Sequence, residues 1–214
     1  MKSKPAKPVN IPGIRNITIS GRIGTGKTTL ANHLGQVLGW EVLDGGKIFR
    51  AYAKEKGFHI KEKQKIPDSF DRDFEDRVKK LLTDEQNHVI QAHLAGFVGQ
   101  GIEGVYKILV VCNDEEGNDK QSVRIDRLMN RDLVSAEEAK QELNEREEKL
   151  LEKFKKLYIK HDFKWTYWDK KYYDLVMNTF YLNQKEAVEF VLKHIGFDDK
   201  NKVNKVFENL KKDV

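Results

Sequence analysis

The chain carries one cysteine, Cys112, which excludes an intrachain disulfide and any cysteine-built metal cluster. That residue lies in the apolar run 108–112 and reads as a small core side chain, not a nucleophile. No apolar stretch approaches the ~18 residues of a membrane span. The basic, proline-bearing residues 1–14 lack the apolar core of a signal peptide. They are expected to form a flexible leader, and the cytoplasm is the expected compartment. Also missing are histidines at metal-ligand spacing, a His-Glu-x-x-His helix, a nucleophile elbow and any internal repeat. No sustained heptad seam occurs, so the Glu/Lys-rich stretch 136–156 reads as a helical lobe and not a coiled coil. RNA-module aromatic motifs are lacking, and nucleic acid is not an expected partner.

What is present suits a globular protein. At 214 residues, one domain with a small mobile lobe is expected. Apolar residues make up 39 % and charged residues 34 %, which predicts a packed core beside long, charged surface helices. The net charge of +5 fits phosphate-bearing ligands but does not separate a nucleotide from a nucleic acid.

Residues 17–20 read as a short strand running into a glycine-rich turn. Residues 27–38 read as a helix, with Leu30, Leu34, Val37 and Leu38 on one face. A second strand, 40–43, ends at Asp44; Gly45 and Gly46 form a turn before a helix over 47–56. A charged loop closes at Pro67, and a helix follows over 68–83. Strands are expected at 87–91 and 106–112, the second with the unbroken apolar run of a parallel strand covered on both faces. Residues 113–120 look like a polar insertion. Two charged helices follow, over 121–131 and from Ser135 to about residue 158, where Ser135 and Glu138 form a capping box. The last strand is placed at 173–177 and the next helix at 184–194; the lysine-rich tail is expected to add a short helix. Strands alternating with helices imply a parallel sheet sandwiched between helices.

The chemistry-bearing motif is Gly21-Arg22-Ile23-Gly24-Thr25-Gly26-Lys27-Thr28, followed by Thr29. It satisfies the phosphate-loop pattern G-x-x-x-x-G-K-[ST]. Its glycines let backbone N–H groups converge on a polyphosphate, and the helix that follows adds its positive dipole end. Lys27 supplies a cation to the β- and γ-phosphates of ATP, and the Thr28 hydroxyl suits Mg²⁺. The spacing is not that of a dinucleotide fingerprint, so a nicotinamide cofactor is not expected. Arg124, Arg127 and Arg131 share a helix face at i, i+3 and i+7, and Arg146, Lys149 and Lys153 repeat that spacing on the next helix. Two such cationic faces suit a transferring phosphoryl group.

Further strings follow in order: Leu43-Asp44-Gly45-Gly46-Lys47-Ile48-Phe49-Arg50; Leu94-Ala95-Gly96; Val123-Arg124-Ile125-Asp126-Arg127 with Arg131; Asn144-Glu145-Arg146-Glu147-Glu148; and Tyr173-Asp174-Leu175-Val176-Met177-Asn178-Thr179. With the phosphate loop, this set resembles the cytidylate kinase family, in its short archaeal form, from about residue 16 to 197. The resemblance implies a three-layer α/β P-loop kinase fold with a parallel five-stranded sheet and a helical lid. It implies a kinase domain over 15–197, with the acceptor segment at about 45–85, the lid at about 121–160 and a tail at 198–214. The implied reaction is transfer of the ATP γ-phosphoryl group to CMP or dCMP by a monomer acting on small nucleotides. Arg50 matches the arginine that grips the acceptor phosphate, beside Gly46. Arg127, Arg131 and Arg146 match the lid, and Asp174 lies in a string that helps recognise the acceptor. Asp71 and Arg72 fall in the acceptor segment.

The pattern departs from the family after the third strand, where Ile90-Gln91-Ala92-His93 stands in place of an acid and an arginine. Gln91 has no charge for a magnesium shell, and His93 is a weaker phosphate ligand that titrates near neutrality. Asp44, at the end of the neighbouring strand, is the candidate substitute acid. Two alternatives therefore stand beside the leading reading: a P-loop kinase of another small acceptor, and a weakened, nucleotide-binding regulatory protein.

Overall fold

A computed structural model describes residues 7–58, 62, 65–159, 162 and 164–212. Strand β1 (Asn16–Gly21) is buried along its whole length and forms the middle of the sheet. Five parallel strands lie in the order β2-β3-β1-β4-β5, with β2 at Glu41–Asp44, β3 at His88–Gln91, β4 at Val105–Val111 and β5 at Leu175–Asn178. Because all five run the same way, their carboxyl ends share one edge. The loops that leave that edge carry the site.

Strand alternation divides the core. Ile17, Ile19, Val89, Ile108, Val110 and Met177 face helix α1 (Lys27–Leu38), helix α7 (Gln184–His194) and helix α8 (Lys200–Lys212). On the other face, Ile90 and Ala92 meet Phe74, Val78 and Leu82 of helix α3 (Asp68–Asp84), and Ala95 of helix α4 (Ala95–Val98). Each fully buried Leu, Ile or Phe here contributes about 1.5–3 kcal/mol. A third cluster joins Ile23 of the phosphate loop to Leu128 of helix α5 (Gln121–Asp132) and to Ala139, Leu143, Leu150 and Phe154 of helix α6 (Ala136–Tyr158). The α5–α6 hairpin therefore rests on the loop itself.

Helices α1 and α7 span the residues expected, and α6 starts at the Ser135–Glu138 capping box. Other features differ from expectation. Gly45 and Gly46 are the first turn of helix α2 (Gly45–Glu55), because the Asp44 carboxylate accepts from Lys47 N–H at 3.0 Å and caps the helix there. The short helix α4 has too few residues for a periodic signal. Residues 7–14, expected as part of a loose leader, are tied down: Ile11 is buried, Val9 N–H donates to Leu38 O, and Trp40 Nε1 donates to Val9 O. Residues 1–6 of that leader lie outside the described residues. The tail forms α8, which docks Val203 in the core and sets Phe207 edge-on to His33. Among the described residues no helix is long and apolar enough to cross a membrane.

Candidate active site

The phosphate loop leaves β1 at the carboxyl edge and enters α1. Gly21 and Gly24 are required there by close approach. A Cβ on Gly21 would lie 2.3 Å from Val110 O, and one on Gly24 would lie 2.8 Å from Arg124 O. The Thr25 hydroxyl donates to Arg22 O and the Thr179 hydroxyl to Thr25 O, each at 2.9 Å, so the loop is bonded internally and to the segment after β5. Lys27 Nζ donates to Arg22 O at 2.6 Å. Burial pulls the Lys27 ammonium down to about 7; Glu147 opposes this, while Arg124, Arg146 and Arg131 add to it. A cation so desolvated and surrounded by like charge is poised to gain from an anion.

Glu147 holds the loop to the lid. Its carboxylate is nearly buried and accepts from Arg22 Nε at 3.0 Å, from Ile23 N–H at 2.9 Å and from the Arg124 guanidinium. Arg124 is fully buried, donating also to Ile23 O at 2.7 Å and to Asp119 at 2.6 Å. The Arg22 guanidinium pairs with Asp119 at 3.0 Å and lies 5.1 Å from the Trp168 ring centroid. Arg22 and Arg124 thus shape the loop and do not line the cavity. Asp119 makes the expected insertion part of this scaffold.

Beside the loop lies a cavity of about 520 Å³, whose lining includes Gly24, Gly26, Lys27, Thr28 and Thr29 of the loop, together with Arg50, Arg127, Arg131 and Arg146. The structure brings these expected residues together; Gly21, Arg22 and Thr25 support the cavity from behind. Arg127 donates to the Thr179 hydroxyl at 2.9 Å and to Thr179 O at 2.8 Å, which fixes its head at the loop's flank. Arg131 is half-exposed and paired with Asp132. Arg146 is nearly buried against Glu142 at 2.7 Å, and burial pulls its pKa down. Arg50 Nη2 sits 3.9 Å from Asp44 Oδ2 and is half-exposed. Gly46, in the first turn of α2, lines the cavity beside Arg50.

His93 and Gln91 line the same cavity. His93 Nδ1 lies 3.1 Å from Gly21 O, and since a carbonyl only accepts, Nδ1 carries the hydrogen. The Thr28 hydroxyl donates to Gln91 Oε1 at 3.3 Å. Both oxygens are neutral, and no group of three acidic, histidine or cysteine residues able to hold a metal occurs among the described residues. This donor set would suit Mg²⁺ brought with a nucleotide and held chiefly by phosphate oxygens and waters, with Thr28 the residue that would hold it. Asp44, expected as a substitute acid, is engaged in capping α2.

Asp174 does not belong to the site. It precedes β5, and in a parallel sheet that places it at the amino edge, opposite the phosphate loop. There it accepts from Lys107 N–H and pairs with Lys107 Nζ, both at 2.8 Å. Asp71 is also structural, pairing with Lys153 at 2.6 Å, and Arg72 lies exposed on α3. Sequence reasoning missed a small second pocket of about 60 Å³, which shares Gly46, Gln91, His93 and Arg146 with the cavity and adds Phe49, Phe74, Glu75, Leu150 and Phe154. It missed Glu147 as well. The available signal was a carboxylate on a buried helical seam: Glu147 falls in step with Ala139, Leu143, Leu150 and Phe154, and Glu75 with Asp71, Val78 and Leu82.

Comparison with known proteins agrees with this geometry. The model of the cytidylate kinase-like family matches residues 16–181. A cytidylate kinase of Haloarcula marismortui is 32 % identical over 167 residues, covering 76 % of this chain and 80 % of that one. The cytidylate kinase of Methanopyrus kandleri is 32 % identical over 173 residues, covering 76 % and 83 %. A crystal structure of shikimate kinase from Bacteroides thetaiotaomicron superposes with a TM-score of 0.52 at 15 % identity, covering 86 % of this chain and 99 % of that one, a likeness of fold alone.

Proposed function

The chain belongs to the cytidylate kinase-like family, and from that premise we propose that it transfers the γ-phosphoryl group of ATP to CMP or dCMP. The observation that carries the proposal is the convergence of five cationic side chains, Lys27, Arg50, Arg127, Arg131 and Arg146, on one cavity floored by a phosphate loop. They are drawn from four different helices, as two facing phosphate groups require.

ATP is read as lying with its phosphates over the backbone N–H groups of the loop, Lys27 reaching its β- and γ-oxygens. Magnesium, when bound with the nucleotide, neutralises charge on those oxygens, and Thr28 is the residue to hold it. Arg50 holds the acceptor phosphate, with Gly46 and His93 at its side. Arg131 and Arg146 face the transferring group, and Arg127 borders the nucleotide beside Thr179. Phosphoryl transfer proceeds through a loose transition state in which charge stabilisation and alignment supply most of the catalysis. The acceptor oxygen is already anionic, so no general base is needed. The lid hairpin excludes water, the competing acceptor. The enzyme is read as a monomer, which sedimentation velocity checks.

Coupled measurement of ADP release with a panel of nucleoside monophosphates tests the reading. Stimulation by CMP and dCMP above all others is expected. ATP hydrolysis that no monophosphate stimulates would overturn it in favour of a nucleotide-binding regulatory role.

A further inference from the structure

Thr179 enters the mechanism above only as a neighbour of Arg127, yet it stands where helix α5, the phosphate loop and the sheet meet. It follows directly on β5, is 7 % exposed and lines the cavity beside the loop. Its N–H donates to Val111 O at 2.9 Å, which fixes it beside the end of β4. Its hydroxyl then has three partners. Arg127 Nη1 donates to it at 2.9 Å, and Thr25 O and Val111 O lie 2.9 and 3.1 Å from it. Arg127 Nη2 also donates to Thr179 O at 2.8 Å, and Nη1 reaches Gly24 O at 3.4 Å.

A hydroxyl has one proton and two lone pairs. The guanidinium occupies a lone pair, so the proton must go to a carbonyl. Thr25 O is the nearer, and Val111 O already accepts the Thr179 N–H. The result is a chain from guanidinium to hydroxyl to Thr25 carbonyl, in which the charged donor at one end strengthens the next bond. Thr25 C=O and Gly26 N–H share one planar peptide, and a trans peptide points them in opposite directions. Anchoring that carbonyl therefore fixes where the Gly26 N–H points, and Gly26 lines the cavity.

We propose that Thr179 is a positioning residue for ATP, its hydroxyl coupling Arg127 of α5 to the phosphate loop so that the guanidinium and the Gly26 N–H are set together for the nucleotide. This rests on the reading of the loop as the ATP site and is independent of which acceptor is used.

The test is calorimetric titration of ATP with magnesium, beside a titration of CMP. Thr179→Val removes the hydroxyl at nearly constant volume. It should raise the Kd for ATP about tenfold, the low end for a hydrogen bond to a charged group because Arg127 keeps Thr179 O, and leave the Kd for CMP unchanged. Thr179→Ser, which keeps the hydroxyl, should restore most of the affinity. If Thr179→Val does not fold, Thr179→Ser and Thr179→Ala carry the same comparison, since they differ by one oxygen and share the lost methyl. In an Arg127→Met background, removing the hydroxyl should cost distinctly less than in the wild type, as a coupled pair requires. Equal ATP affinity with and without the hydroxyl, an additive cycle with Arg127, or a loss as large for CMP as for ATP would overturn the inference and leave the kinase reading standing. If CMP proves not to be the acceptor, that reading fails while the ATP titration still decides the role of Thr179. A wild type that binds no ATP would sink both.

Discussion

Replacing Glu147 by glutamine should unfold the protein at a markedly lower temperature, although the residue contacts no substrate in this account. The substitution keeps the volume and removes a charge shared by Arg22, Arg124 and the Ile23 N–H. Its NH₂ group would then face guanidinium donors. Breaking a buried ion pair typically costs about 3–5 kcal/mol. The lower end applies here, because the Arg22 head retains 29 % exposure and can turn to water, and Arg124 keeps Asp119. For a chain of this size 1 kcal/mol moves Tm by about 2–4 °C, so about 3 kcal/mol predicts a fall of about 6–12 °C. Thermal unfolding followed by circular dichroism measures it. The KM for ATP should rise too, since the negative charge that gathers Arg22 and Arg124 around the loop is gone. Lys27→Met is the contrast: it should abolish turnover yet leave Tm unchanged or higher, because it removes a desolvated cation. A Glu147→Gln protein melting within about 2 °C of the wild type, with an unchanged KM for ATP, would refute the reasoning.

Four further outcomes follow from the structure. Lys27 titrates at about 7, below its ordinary 10.5, and a bound triphosphate should raise it again. ATP binding at about pH 8 should therefore take up as much as one proton, and affinity should weaken as pH rises from 7; calorimetry in buffers of different ionisation enthalpy would detect this, and zero uptake would contradict it. The same depression means the unfolded chain binds more protons between about 7 and 10.5, so this group makes stability rise with pH across that window. Arg50→Ala should raise the KM for CMP about tenfold with little change in the KM for ATP, the low end for a charged hydrogen bond because the side chain is half-exposed. Asp174→Asn should leave steady-state kinetics unchanged and cost at most about 1 kcal/mol in denaturant titration, since it loses only a partly exposed pair with Lys107 at the far edge of the sheet.

Much of the fold was legible because its signals are local. The apolar face of α1, the capping box of α6 and the unbroken run of β4 each follow from a few neighbouring residues. The anchoring of residues 7–14 was not, because Val9 and Ile11 gain their burial from Leu38 and Trp40, in a segment with no periodicity of its own. The site was legible where the motif is contiguous. Asp174 was misplaced by reading a string without the direction of its strand: a residue before a parallel strand falls at the amino edge, and that rule was available from the sequence. Arg124, Arg127 and Arg131 share a face as expected, but only two of them reach the cavity. Arg124 is taken by Glu147 and Asp119, partners 23 and 5 residues away. Glu75 and Glu147 show the same limit. Their positions on buried seams are visible in the helical spacing, whereas what they face is decided by other elements.

The central claim is that one cavity aligns the triphosphate held at the loop with a cytidine monophosphate held at Arg50. Incubating the protein with γ-labelled ATP, magnesium and CMP, and following the label by chromatography, tests it directly. The account predicts that the label appears in CDP with the wild type and is absent from it with Lys27→Met. Label released only as inorganic phosphate, or CDP formed equally by both proteins, would contradict it.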